Sequence, residues 1–352
     1  MSMFPDSLSR TGHSLLVIVL IFIILIAVKM TSYIVTLFLM SLILTFLLAP
    51  AMLWLKGKGL PNFPATIVVS VFAGLVILSV VVMTVLSFQT LLSDIPQFQT
   101  ELNARLADIY SIFTSLGILS GMNGVPSINL GDLLSMGVGG ATRLIEGGMF
   151  LFFVGATTFF ILLETPNVVD RMEQKFGKES DMIQQLNRMT GYIIDFIVVR
   201  TETNFVHAVL FGGFLSVMGV HGAILWGVLT FILGYIPFFG LVIAAIPAIF
   251  FAWLQFGIPG AVAVIVAVCV LNLIVENPVY SYLAARKFDM PALIVILSVI
   301  FWGWLLGLVG MLFAVPMTLF VLLVLQMSED FRWINAILGV NHLFEEIRGK
   351  GR

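Results

Sequence analysis

The chain has 352 residues, of which 60% are hydrophobic and only 10% are charged, and its mean hydropathy is +1.12. Soluble domains carry about 25% charged residues, because their water-facing surface needs them. The 17 Lys and Arg are offset by 19 Asp and Glu, which leaves no basic field for phosphates, and the single Cys269 excludes a disulfide framework. The composition excludes a soluble enzyme, a disordered scaffold and a nucleic-acid binder, and it indicates an integral membrane protein.

Six runs without Asp, Glu, Lys or Arg divide the chain. They are Ser14–Val28, Met30–Leu55, Gly59–Ser93, Gly147–Leu163, Thr203–Val275 and Pro291–Ser328. A helix needs about 20 apolar residues to cross the hydrocarbon core, where unpaired backbone groups cannot be left. The runs predict an all-α, polytopic membrane protein with about eight transmembrane segments.

Two apolar stretches have the wrong length for ordinary spanning helices. Ala223–Phe256 contains 34 residues and Pro291–Leu325 contains 35, so each would be about 50 Å long as one helix. Both contain helix breakers near the middle, namely Gly234, Pro237 and Gly240 in the first and Gly303, Gly307 and Gly310 in the second. We predict two broken or re-entrant helical hairpins, with a long tilted helix kinked at proline as the alternative.

The polar connections complete the predicted organisation. Residues 1–92 form N-terminal transmembrane helices, and residues 93–145 form an extracytoplasmic segment with an amphipathic helix opened by Ser93 or Asp94. The apolar stripe of this helix is Ile95, Phe98, Leu102, Leu106, Ile109, Phe113 and Leu116. Residues 146–352 form a C-terminal transmembrane transport region that includes a cytoplasmic helical section at 166–202.

Orientation follows from the distribution of Lys and Arg. With the N-terminus inside and eight passes, twelve of the 17 basic residues fall on the cytoplasmic side and five on the other. We therefore expect a multi-pass protein of the plasma membrane with both termini in the cytoplasm. The count places Arg286 and Lys287 on the outer side, which is unusual for a basic pair. A re-entrant neighbouring segment would place them on the cytoplasmic side.

No enzymatic or metal-binding motif is present in the sequence. It lacks a His-Glu-x-x-His zinc motif, a Gly-x-Ser-x-Gly elbow and a phosphate-binding loop. The four histidines are scattered, and we interpret His207 and His221 as packed or interfacial side chains. We expect no enzyme activity, no cofactor and no metal site, and any transport must be secondary or passive.

Ionisable groups beside apolar runs are the first candidates for a functional site, because charge is costly in lipid. Glu276, Asn277 and Pro278 close an apolar run, and Arg286 follows shortly after. We expect Glu276 either to bind a proton or to pair with Arg286 or a cation, and Glu276→Gln to fold normally yet lose transport. Secondary candidates are Asp195, Arg200 and Glu202. The alternative for all of them is an interface residue at the end of a helix.

Interrupted helices are the second candidate, because unwound backbone can bind a solute. The proposed path contains Gly234, Tyr235, Pro237, Gly240, Gly307, Gly310 and Pro316. Residues 310–316 weakly echo residues 240–247, with Gly, Ala and Pro in similar order. Close helix packing is an equally good explanation for the second group of glycines.

Four ordered motifs in the C-terminal half resemble the autoinducer-2 exporter family of membrane proteins. They are Tyr235–Gly240 with Ile-Pro-x-x-Gly, Ile274–Pro278 with an acidic residue before proline, Arg286–Pro291 with a basic pair, and Gly307–Pro316 with Gly-x-x-Gly-x-x-x-Ala-x-Pro. The resemblance implies export of a quorum-sensing furanone or, as in other members, Na⁺/H⁺ antiport. It also implies a homo-oligomer, with pentamers described among members.

Three hypotheses follow for function. The first is a secondary transporter or exporter of a small polar solute through the two broken segments. The second is a Na⁺(Li⁺)/H⁺ antiporter in which Glu276 exchanges the ions. The third is a non-transporting oligomeric membrane scaffold. The expected partners are the lipid bilayer, a small polar solute or a monovalent cation and proton, and further copies of the chain.

Overall fold

The computed structural model describes residues 10–116, 140–178, 180–278, 290–327, 331 and 333–340. Within these ranges the chain is helical and contains no strand. The helices are α1 (Arg10–Met30), α2 (Ser32–Gly57), α3 (Asn62–Ser93), α4 (Ile95–Ser115), α5 (Gly140–Phe176), α6 (Asp181–Met218), α7 (Ala223–Leu233), α8 (Gly240–Leu271), α9 (Ala292–Leu312), α10 (Ala314–Met327) and α11 (Trp333–Ile337), and a π-helical turn (Asn272–Glu276) follows α8. The prediction of an all-α polytopic membrane protein is confirmed.

Five described helical segments are long and apolar enough to cross a membrane. They are Ser32–Gly57, Asn62–Ser93, Gly147–Phe176, Gly240–Glu276 and Ala292–Leu312. Two shorter apolar segments, Ala223–Leu233 and Ala314–Gln326, are below the length of a complete span.

The polar section at 166–202 is shared by two helices: its residues up to Phe176 end α5, and those from Asp181 begin α6. Helix α6 continues from Asp181 through its polar half into the apolar run that ends at Met218. It begins where Ser180 Oγ accepts a hydrogen bond from the Ile183 amide at 3.3 Å, and it ends at Gly219 in the left-handed conformation. Because no proline interrupts the helix between these caps, it carries polar residues directly into the apolar part of the bundle.

The first long apolar stretch is broken into a helical hairpin. Helix α7 ends at Leu233, residues 234–239 form a turn, and α8 begins at Gly240. The two arms of the hairpin are α7 and the part of α8 before Gly257, and we call the ends far from the turn the outer ends. These ends lie together, and the His221 amide donates a hydrogen bond to Gln255 Oε1 at 3.2 Å.

Two glycines with a shared backbone conformation divide α8 and α9. Gly257 has φ 70° and ψ −158°, and Gly307 has φ 67° and ψ −148°, a region that only glycine adopts readily. Each is followed three residues later by another glycine, Gly260 or Gly310. The structural correspondence is therefore between residues 257–260 and 307–310, rather than between the two segments whose sequences weakly echo each other.

The amphipathic helix predicted after Ser93 is present as α4, and it packs against the outer end of the hairpin. Phe98 and Leu102 of its stripe are buried beside α8. Arg105 Nε donates to the Leu254 carbonyl oxygen at 3.1 Å, and Arg105 Nη2 donates to that of Gln255 at 3.3 Å. Arg105 thus binds the carbonyl oxygens at the end of the part of α8 that precedes the break at Gly257. A helix leaves its last carbonyl oxygens without intrahelical partners, and a cation is favourable at this end.

The inner end of the hairpin packs into the main apolar core. Ile236 of the turn lies with residues of α6, α9 and α10, including Ile197, Leu306 and Leu319. This core fixes the turn against the middle of α6, which is where the polar side chains of that helix face inwards.

Candidate functional site

A cavity of about 190 Å³ lies between α6, the turn of the hairpin and the π-helical turn after α8. It is lined by Arg200, His207, Thr230, Gly234, Ile236, Phe238, Leu241, Asn272, Glu276 and Asn277. Six of these ten residues have polar side chains, although they come from segments of the chain that are mostly apolar.

A buried ion pair forms one wall of the cavity. Arg200 Nη1 donates to Glu276 Oε1 at 2.9 Å and to Oε2 at 2.8 Å. The two side chains are only 7% and 13% exposed. Removing one partner of such a pair leaves an uncompensated charge in a low-dielectric interior, so each residue depends on the other for its burial.

Two helical segments place these groups opposite each other. On α6, Arg200 and His207 lie two turns apart on one face of the helix. Glu276 closes the π-helical turn that begins at Asn272, and His207 Nε2 lies 3.2 Å from the Leu271 carbonyl oxygen just before it. Inserted π-helical turns are rare and occur frequently at functional sites.

The turn of the hairpin supplies the remaining wall. Tyr235 is fixed to α6 by a 2.5 Å hydrogen bond between its hydroxyl group and Thr201 Oγ1. Phe238 lines the cavity with φ 66°, a value that is unusual for a bulky residue and costs free energy. The turn therefore holds a strained aromatic residue next to the ion pair.

The structure brings together some of the predicted site residues. Gly234, Glu276, Asn277 and the secondary candidate Arg200 line the cavity, and Tyr235, Pro237 and Gly240 belong to the same turn or its boundary. The proposed partner of Glu276, Arg286, lies outside the described residues; the observed partner is Arg200.

The other predicted residues do not line this cavity. Gly307, Gly310 and Pro316 belong to α9 and α10. Phe313, which lies between these two helices, contacts Tyr235 of the turn, and the ring centroids are 5.8 Å apart. Pro278 and Glu202 are exposed, and Asp195 is located on α6 before Arg200.

Sequence reasoning missed four polar residues of this region. His207, Thr230 and Asn272 line the cavity, and Asn204 is buried on α6 between Arg200 and His207. Their signal was present in the sequence: Arg200, Asn204 and His207 follow helical spacing at the start of an apolar run. A polar stripe on an otherwise apolar helix indicates a face turned away from lipid.

A second, larger cavity lacks comparable chemistry. It measures about 410 Å³, lies between α2, α3 and α5, and has no ionisable side chain in its lining. The described residues also contain no group of three or more His, Cys, Asp or Glu that could hold a metal ion. Of the two cavities, only the smaller one is therefore lined by a buried ion pair.

Comparison with known proteins identifies the family. The profile of the AI-2E family transporters matches residues 15–329. The chain is 25% identical to the AI-2 transport protein TqsA of Escherichia coli, over 88% of this chain and 91% of that protein. It is 28% identical to a putative transport protein of Haemophilus influenzae, over 93% and 96% of the two chains, and 26% identical to the putative transport protein YhhT of Escherichia coli, over 89% and 90%. The chain is a multi-pass membrane transporter and belongs to the AI-2E family.

Proposed function

We propose that this protein is a secondary exporter of a small polar solute of the autoinducer-2 furanone type. The solute path runs through the cavity beside Arg200 and Glu276. The observation that carries the proposal is the buried ion pair at a broken helix, since burying two charges in a membrane protein is costly and marks a solute or ion pathway.

The hairpin of α7 and α8 is the proposed re-entrant element. With 11 residues, α7 is about 16 Å long, which is about half of the hydrocarbon thickness. The contact between His221 and Gln255 brings both arms back to one side. The hairpin then enters and leaves on the side of α4, and its turn delivers Gly234 and Phe238 to the ion pair inside the bundle.

The charge balance favours a solute over a resident cation. Arg200 already neutralises Glu276, so a sodium ion would have to displace a buried guanidinium group with two short contacts. A polar solute can instead use the hydrogen-bonding groups of Thr230, Asn272 and Asn277, which also line the cavity. Na⁺/H⁺ antiport by Glu276 is the alternative outcome of the experiment below.

The orientation and assembly belong to the same proposal. Both termini lie on the cytoplasmic side of the plasma membrane, and the chain forms a homo-oligomer. The last turns of α4 support the assembly, because Ile109, Phe113 and Leu116 of its apolar stripe remain exposed. An amphipathic helix needs an apolar surface to cover such residues.

Transport assays in proteoliposomes test the proposal. The double variant Arg200→Gln/Glu276→Gln removes both charges together, so that no unpaired charge is left buried. We expect it to insert normally while furanone efflux falls by about tenfold or more.

The matched control is the exposed pair formed by Glu164 and Arg171 on α5, at 3.1 Å with both side chains about half exposed or more. Glu164→Gln/Arg171→Gln makes the same chemical change and should keep the wild-type flux. Unchanged furanone flux in the cavity variant would contradict the proposal. Collapse of a pH gradient on adding sodium, without furanone flux, would establish antiport instead.

A further inference from the structure

Asn204 is a buried amide without hydrogen-bond partners. Its side chain is 1% exposed, and neither Nδ2 nor Oδ1 has a partner among the described residues. No other buried amide in that part of the chain lacks partners for both atoms. Native proteins pair nearly all such groups, because a buried donor or acceptor without a partner is costly.

A second buried asparagine is paired through its amide nitrogen, although its Oδ1 has no partner among the described residues. Asn335 is 0% exposed, and its Nδ2 donates to the Leu322 carbonyl oxygen at 3.0 Å and to Gln326 Oε1 at 2.9 Å. That amide fastens α11 to α10, which is a structural role. Asn204 fastens nothing in this way, so its burial calls for another reason.

The surroundings of Asn204 are the walls of the cavity. It lies on α6 between Arg200 and His207, and both of these residues line the cavity. It also touches the hairpin turn so closely that a Cβ atom on Gly234 would lie 2.5 Å from Asn204 Oδ1. The glycine thus leaves the amide directly behind the cavity wall.

We infer that Asn204 is a specificity-determining residue: its amide lies behind Gly234 of the cavity wall, and it binds the transported solute when the solute moves the turn at Gly234 aside. The inference rests on the proposed function of the cavity. An amide offers both a donor and an acceptor, and the charges of Arg200 and Glu276 are already used by each other. The groups that Asn204 recognises are therefore uncharged hydroxyl and carbonyl groups of the solute. The unpaired amide lowers the stability of the protein, and the protein retains it because the amide is needed for binding.

If Asn204 binds the solute, one variant should weaken transport without lowering the stability of the protein. Asn204→Leu keeps the branched shape of the side chain and removes the unpaired polar atoms, so it should leave the melting temperature unchanged or raise it. The same variant should raise KM for the furanone by about tenfold or more, with a smaller change in kcat. Asn335→Leu is the control, and it should lower the melting temperature by about 2 °C or more while leaving KM unchanged.

The measurements are thermal unfolding of the purified full chain and furanone efflux from proteoliposomes. A melting temperature of Asn204→Leu that falls as far as that of Asn335→Leu would overturn the inference, as would an unchanged KM. A wild-type protein that moves no furanone would instead refute the proposed function for that solute. Asn204 is then judged by stability alone: a gain in Asn204→Leu supports its functional burial, and a loss assigns it a structural role.

Discussion

The two broken apolar segments, α7–α8 and α9–α10, each contain a glycine break of the same conformation but differ in their surroundings. Gly257 and Gly307 have nearly the same backbone angles, and each divides a long apolar helix. The first segment has an additional break at residues 234–239, and that break meets Arg200 of α6 and Glu276 of the π-helical turn. The second has no ionisable side chain between Ala292 and Met327.

The second segment is built as part of the core. Leu305, Leu306 and Leu312 of α9 are buried in the main apolar cluster. Its side-chain hydrogen bond between the two helices runs from Trp302 Nε1 to Thr318 Oγ1 at 2.9 Å. Glycine and proline therefore indicate where helices break in both segments. Whether a break can bind a solute depends on the polar side chains that neighbouring helices place beside it.

The largest expected effect tests the ion pair of the first segment. Arg200→Gln or Glu276→Gln alone should destabilise the protein by about 3–5 kcal/mol, because each leaves a buried charge unpaired. The double variant should recover most of this loss, since no charge remains. Unfolding of the purified protein by denaturant gives the three values, and additive losses in the double variant would contradict the pairing.

A smaller effect separates the two segments at single glycines. In Gly240→Ala the added Cβ would collide with the Leu233 carbonyl oxygen, so the turn must open and furanone KM should rise along with a loss of stability. In Gly307→Ala no atom lies within 4 Å of the added Cβ, and the backbone conformation alone should cost about 1–3 kcal/mol. Furanone KM should stay unchanged in that variant. Equal changes in KM for both variants would place the second break in the path as well.

Much of the fold could be predicted from local patterns. The apolar runs, the amphipathic stripe of α4 and the breakers near Gly234 and Gly307 all have structural counterparts. The continuity of α6 through residue 202 was not predicted, because the helical section at 166–202 and the apolar run that begins at Thr203 were described separately. The ends of a helix are set by backbone conformation and capping, so one helix can continue from a polar into an apolar part of the sequence.

The site was only partly predictable, because its ion pair joins two residues that are far apart in the sequence. Glu276 stood out from its position at the end of an apolar run, but its partner Arg200 is 76 residues away in the sequence. The nearer Arg286 was the natural choice from sequence alone. The pairing also changes an expectation: Glu276→Gln was predicted to fold normally, whereas a buried Arg200 without its partner should destabilise the protein.

The central claim, that the solute passes the first break and not the second, is tested most directly by thiol labelling in membranes. In a Cys269→Ser background, Phe238→Cys and Leu308→Cys are matched, because the native side chains are 47% and 50% exposed. A water-soluble maleimide should label Phe238→Cys, which lines the cavity, and furanone should slow that reaction. Leu308→Cys should remain unlabelled in lipid. Labelling of Leu308→Cys alone, or labelling of Phe238→Cys that furanone does not slow, would contradict the proposed path.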